Sequence, residues 1–346
     1  MQTLQTVLAL VQLAGVLSVA AQTVAAQAAG VDTLSAIRQR GVLVWGGDAE
    51  GGGPYVYPRD DDPTQVQGFE VELAALLAER LGVASRFAQG QWDKLPDLLQ
   101  RGDIDIVLNG YEWKETWAER YCTSIPYYVY ELQMLVRQGD PRFTQWDDMQ
   151  RAPERKHRVA VLGGSAAETF LRSRFPTSTE AVLFDGNTDG MRAAELGIDG
   201  VDATLQDLPI VTFYERRFGG LRRLGDPVAP GYYVILARRD DAALIRALNA
   251  AILASCQDGS IPAILGRYGL WNATQRQRGL LTDPDGNFRP DLPAGTAGAQ
   301  GSPRSVVRQT QVVLRRLPLL VQGALITIVL SVTSMPLAIA VGLLVA

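Results

Sequence analysis

Ser165 stands three residues before Glu168, and the pair reads as a capping box that opens a helix. A helix start presents free backbone N–H donors at the positive end of its dipole, a setting suited to a carboxylate. Plain capping is the competing role. Asp207 ends a predicted strand, where its carboxylate can face a cleft and pair with an ammonium. The alternative there is a solvated loop aspartate. Glu112, Glu115 and Glu119 fit one helical face by spacing; paired acids are one reading and a solvated charged face is the usual one. His157 lies within Arg155-Lys156-His157-Arg158 and reads as solvated. Cys122 and Cys256 can pair in an exported protein, but two buried thiols are the preferred reading. With no convincing nucleophile or acid/base pair, no catalytic residue and no cofactor are expected. No Gly-x4-Gly-Lys-[Ser/Thr] segment exists, so the chain has no ATP-binding P-loop of its own. The glycines at 46–47 and 51–53 lack dinucleotide spacing.

The elements that must hold these residues alternate between strand and helix. Gly41–Trp45 reads as a buried strand. A helix over Glu70–Leu81 carries leucines at 73, 76, 77 and 81 and stops at Gly82. A second helix, Trp92–Arg101, stops at Gly102, and Ile104–Leu108 is the next strand. The pattern restarts with strand Val159–Leu162, helices Ala166–Phe175 and Thr188–Leu196, and strand Val201–Leu205. It closes on strand Tyr232–Ala237 and helix Ala242–Ala254. Such succession implies right-handed crossovers, parallel sheets and an α/β class. Two lobes with a cleft between them follow, the ligand lying at strand carboxyl ends.

The chain has 346 residues, 33 basic and 37 acidic, for a formal net charge of −4. That balance argues against a nucleic-acid partner, which needs a basic face. One histidine and two cysteines exclude a His/Cys metal cluster and a disulfide scaffold. No charge occurs from Met1 to Val31 or from Leu317 to Ala346. Residues 1–26 read as a signal peptide, with an apolar core Leu8–Ala21 and small-residue triplets ending at Ala21 and Ala26. No basic residue precedes Arg38, so an uncleaved anchor or a misplaced start competes with that reading. Residues 272–305 are rich in Gly, Pro and Ala and read as a flexible linker. At about 1.5 Å per residue the run Leu317–Ala346 is long enough to cross a bilayer. It stops without a flanking charge and reads as a truncated all-α transmembrane region. Arg304, Arg308, Arg315 and Arg316 precede it, and residues 306–316 read as an amphipathic approach helix.

From about Gly41 to Trp271 the chain resembles the amino-acid class (family 3) of bacterial extracytoplasmic solute-binding proteins, the receptors of ABC importers. The resemblance rests on Gly68-Phe69-Glu70-Val71-Glu72-Leu73, Trp92-Asp93, Leu99-Gln100-Arg101-Gly102 and Asp105. Asn109-Gly110, Pro126-Tyr127-Tyr128, Gly164-Ser165-Ala166 and Val201-Asp202-Ala203 through Asp207 complete it. It implies a two-lobed, periplasmic-binding-protein-like type II domain over residues 31–271. Lobe 1 is expected at about 31–136 and 231–271, and lobe 2 at about 137–230. The tail, with Gln322-Gly323-Ala324-Leu325-Ile326-Thr327, is similar to the start of amino-acid ABC permeases. A receptor fused to the first helix of its permease, in residues 306–346, is what that implies. The partners implied are an amino acid or similar small solute, the membrane, a separate ATP-binding subunit and a permease dimer. The implied place is the inner membrane, with the receptor in the periplasm or outside the cell.

An amino acid is a zwitterion and needs carboxylate donors, an ammonium acceptor and an apolar wall. The family's aspartate at the Asp207 position holds the ammonium, and Ser165 opens the carboxylate-binding helix. Trp92 matches the family's ring against the ligand, with a core tryptophan as the alternative. Gly110 lets backbone approach the ligand. The family's Thr-Pro-Glu-Arg segment, whose arginine clamps the carboxylate, is altered here. Counted back from Pro126-Tyr127, the arginine falls on Trp117, the threonine on Lys114, and a common hydroxyl position on Glu112. Lys114 or Arg120 are the candidate substitutes, although lysine is a point charge and not a planar fork. Tyr55 partly replaces an aromatic missing from Gly51-Gly52-Gly53-Pro54. A different ligand, or weak binding, is therefore expected. Solute import is the leading function, with a transmembrane sensor or a dehydratase-like enzyme as alternatives.

Overall fold

The computed structural model describes residues 32–151 and 155–278. The expected signal peptide, the linker beyond Arg278 and the apolar tail lie outside the described residues. Among the described residues no helix is long and apolar enough to cross a membrane.

The chain opens with α1 (Thr33–Arg40), β1 (Val42–Gly47), β2 (Tyr57–Pro58), β3 (Val66–Gln67) and α2 (Phe69–Arg80). There follow β4 (Ala84–Gln89), α3 (Leu95–Arg101), β5 (Ile106–Val107), α4 (Glu115–Arg120) and β6 (Tyr121–Thr123). β1 pairs in parallel with both β4 and β5, as strand–helix–strand crossovers require. α2 buries Phe69, Leu73, Ala74, Leu77 and Ala78, one stripe of a 3.6-residue repeat. Gly82, at φ +76°, follows its C-cap Leu81, a left-handed turn that glycine makes at little cost.

A second sheet takes over with β7 (Tyr128–Arg137), β8 (His157–Leu162), α5 (Ala166–Arg174), β9 (Thr179–Phe184) and α6 (Asn187–Leu196). β10 (Ala203–Asp207), α7 (Leu208–Tyr214), β11 (Leu221–Arg223) and β12 (Val228–Tyr233) complete it. Its order is β11-β7-β10-β8-β9, with β12 also on β7. β13 (Leu236–Arg238) then returns to the first sheet, whose order becomes β4-β1-β5-β13-β6. The helices α8 (Ala242–Gln257), α9 (Ser260–Arg267) and α10 (Ala273–Arg278) end the described chain. Both sheets are mixed: parallel where helices cross over, antiparallel where β7, β12 and β13 run between the lobes.

Several expectations need correction. The chain passes to the second sheet between Thr123 and Tyr128 and returns between Tyr233 and Leu236. The expected lobe boundaries at 136–137 and 230–231 therefore lie inside the second sheet's territory and not at the crossings. Gly139-Asp140-Pro141 ends a strand there, and the crossings themselves carry no breaker except Pro126. For the same reason Tyr232–Ala237 is not one strand but the end of β12 and the start of β13. His157 is buried against Phe143, ring centroids 4.9 Å apart, not solvated. Glu112 is not on a helical face with Glu115 and Glu119. It is buried and bridges to Tyr233, whereas the other two sit exposed on α4. Cys122 and Cys256 are free and half-buried. The linker starts later than Asn272, because α10 docks on β7. The Gln275 amide accepts from Val129 N–H at 3.0 Å and donates to its carbonyl at 2.6 Å.

Candidate functional site

The carboxyl ends of β1, β5, β8 and β10 converge on one cleft. Asp48, Tyr55, Trp92, Asn109, Gly110 and Glu112 line it from the first lobe. Leu162, Ser165, Asp185, Asn187 and Asp207 face them from the second, with Leu205 and Ile210 as apolar floor. Strand ends at a cleft are where parallel-sheet proteins bind ligands.

Asp207 is the last residue of β10, opposite Leu132 of β7. Its Oδ2 accepts a hydrogen bond from the Tyr233 hydroxyl. The side chain keeps some exposure to the cleft, yet protein surrounds it. Loss of solvent, and then the charge of Glu112, push its carboxyl up to about 8; Tyr233 and Lys114 pull the other way. Tyr233 also meets the Tyr55 hydroxyl at 2.6 Å and stacks on Tyr130 at 4.8 Å between centroids.

Glu112 is 2 % exposed. Its Oε1 accepts from the Ala166 N–H at the start of α5, at 2.8 Å. Its Oε2 has no hydrogen bond and only an ion-pair contact with Lys114 Nζ at 3.5 Å. Lys114 donates instead to the Gly164 carbonyl at 2.8 Å. Ser165 caps α5, its Oγ accepting from Glu168 N–H at 3.3 Å.

Trp92 lies at the mouth, its indole N–H on the Asn109 carbonyl at 2.9 Å and its ring 4.9 Å from that of Tyr111. The carboxylate of Asp48 accepts from Trp92 N–H at 3.0 Å and from the Gln89 amide at 2.9 Å, which ties the loops after β1 and β4 together. Gly110 has φ +60°, and a Cβ there would meet the Tyr55 ring at 3.1 Å. Its N–H donates to Glu70 at 2.8 Å. Glu70 is fully buried, and burial pushes its carboxyl up to about 7 against the bonds from Tyr127, Gly110 and Asn109.

Of the residues singled out in the sequence, Trp92, Gly110, Glu112, Ser165 and Asp207 therefore share the cleft, and Lys114 spans its edge to Gly164. Trp117 does not reach it. Its ring packs between Tyr111 and Tyr121, at 5.9 and 5.5 Å, on the apolar cluster around Leu95 and Leu99. Arg120 is exposed and lies over the Tyr121 ring. Sequence reasoning missed Asp48, Asp185, Asn187 and Tyr233. Only the tyrosine clusters at 127–128 and 232–233 hinted at the last, and nothing in them says which hydroxyl meets an acid. Among the described residues no group of three or more His, Cys, Asp or Glu is placed to hold a metal.

Residues 47–270 match the bacterial extracellular solute-binding proteins, family 3. The chain belongs to that family. Among its relatives, the L-cystine-binding protein TcyJ of Escherichia coli K12 is 27% identical over 236 residues, 68% of this chain and 85% of that protein. The membrane-bound lytic murein transglycosylase F of Idiomarina loihiensis is 30% identical over 192 residues, 54% of this chain but only 40% of its own length. The ancestral amino acid-binding protein AncCDT-1, a precursor of cyclohexadienyl dehydratase, superposes with TM-score 0.61 at 24% identity, covering 68% of this chain and 99% of that one. A P235GK mutant of ArgBP from T. maritima gives TM-score 0.60 at 23% identity, over 68% and 99%. These likenesses establish the two-lobed α/β fold of periplasmic binding proteins of type II.

Proposed function

We propose that this family member is an extracytoplasmic receptor that captures an amino acid or a related small amine-bearing solute and delivers it to an ABC importer. The observation that carries this reading is Asp207. Its carboxylate ends a central strand, sits in the cleft between the lobes, and is bonded by a tyrosine that leaves its other oxygen free for an ammonium. Trp92 and Tyr55 supply aromatic walls for the stem. The family membership and the names of relatives that bind cystine or arginine agree with it.

Closure of the lobes is the signal such a receptor gives. The contacts that would report it are Lys114 on Gly164, and Gly53 N–H on the Tyr214 hydroxyl at 2.9 Å. The uncharged run Leu317–Ala346 supports a membrane segment fused to the receptor, the start of the importer's permease. Lacking a P-loop, the chain would rely on a separate ATP-binding subunit.

Titration calorimetry of the full chain against pooled amino acids and amines tests the reading. Asp207→Ala removes a charge-assisted bond and is expected to weaken binding by about 10–150-fold. Unchanged affinity in that variant would remove Asp207 from the site.

A further inference from the structure

We infer that the solute carries a cationic amine and no carboxylate, because the chain's own Glu112 and Glu168 already occupy the anion-binding start of α5. This rests on the reading of the cleft as the solute site.

A helix start is the natural cradle for a carboxylate, since its first N–H groups have no partner within the helix. Here the protein supplies the partners. Gly164 N–H donates to Glu168 Oε2 at 2.7 Å, and Ala166 N–H donates to Glu112 Oε1 at 2.8 Å. Ser165 N–H is held by the Leu162 carbonyl at 3.3 Å, and Glu168 N–H by Ser165 Oγ at 3.3 Å. Glu168 belongs to the helix itself. Glu112 reaches it from the facing lobe, and so stands where a bound carboxylate would stand.

The charges around the cleft point the same way. Among the described lining residues, Asp48, Glu112, Asp185 and Asp207 are acidic and none is arginine or lysine. Lys114 lies beside them, but its ammonium is directed to the Gly164 carbonyl. Trp117 packs on the apolar cluster around Leu95 and Leu99 and is not among the lining residues. An incoming carboxylate would meet Glu112, a like charge, with the N–H groups of Gly164, Ser165, Ala166 and Glu168 already engaged.

A cation meets the opposite situation. Glu112 Oε2 is buried without a hydrogen bond, which is costly for a carboxylate oxygen. Glu112 and Asp207 line the same cleft, and burial, then the charge of Glu112, raise the Asp207 carboxyl. An ammonium placed between them would donate to Glu112 Oε2 and to the free oxygen of Asp207.

The test uses matched pairs that differ only by carboxylate groups: agmatine against L-arginine, cadaverine against L-lysine, and cystamine against L-cystine. Each is titrated calorimetrically into the full chain in detergent micelles, with circular dichroism to verify folding. At least one amine is expected to bind ten or more times tighter than its parent amino acid, by about 1.4 kcal/mol or more. Glu112→Gln is expected to narrow that ratio by opening the cradle to the carboxylate. Parent amino acids binding as tightly as the amines would overturn the inference and leave the receptor reading intact. Binding of neither set by folded protein would overturn both. An unchanged ratio in Glu112→Gln would also overturn it, since another group would then be setting the preference.

Discussion

The hydroxyls of Tyr55 and Tyr233 lie 2.6 Å apart although 178 positions separate them in the chain. Tyr233 gives its proton to Asp207, so Tyr55 is the donor of the pair. A line of O–H groups thus runs from the first lobe's wall to the second lobe's acid. Bonds in such a line polarise one another and favour the ionised end.

Tyr233→Phe is expected to lift the Asp207 carboxyl further, because the lost bond is one that lowers it. Amine affinity at neutral pH should fall by about 10–150-fold, and part of it should return at alkaline pH. Tyr55→Phe, one bond further out, should cost only about 2–12-fold. Calorimetry at two pH values checks both. Equal losses in the two variants would show that the tyrosines act separately.

Stability should decline as pH rises. Burial holds the Glu70 carboxyl at about 7, against 4.5 for the ordinary group. Between those values the native state keeps a proton that the unfolded state has lost, so stability present at low pH is lost through this window. Asp207 extends the same slope towards about 8. Scanning calorimetry should show Tm falling across this range, with a shallower fall in Glu70→Gln. A wild-type Tm that climbs instead would contradict the assignment.

Trp117→Arg looks, from the sequence, like the restoration of a carboxylate clamp. The structure gives it a different outcome. Removing a ring wedged between Tyr111 and Tyr121 should destabilise the first lobe by about 1–3 kcal/mol. No gain in amino-acid affinity is expected, and urea unfolding beside calorimetry separates the two effects.

Gln275→Ala should strip both backbone groups of Val129 of their partner. A loss of about 1–3 kcal/mol in chemical unfolding is expected. A neutral result would mean that water replaces the amide there.

Much of the frame was legible because its signals are local. The leucine spacing of α2, the glycine stops at 82 and 102 and the Ser165 cap each depend on a few neighbouring residues. Asp207 could be placed at a cleft because strand ends point there. The lobe crossings were not legible, since they fall at residues 124–127 and 234–235, where Pro126 is the one breaker. Nor was the role of Glu112, whose partner Ala166 comes from the other lobe. The same holds for Trp117: gap-free counting put it in a ligand position, and only the packing of three aromatic rings takes it elsewhere.

The docking of Gln275 on Val129 has a mechanical side. Val129 lies just beyond the crossing from one sheet to the other. A cord attached to the rim of a lobe is dragged whenever the lobe moves; one attached beside the pivot is not. The last described helix, α10, is therefore fastened beside the crossing between the two sheets and not at a rim.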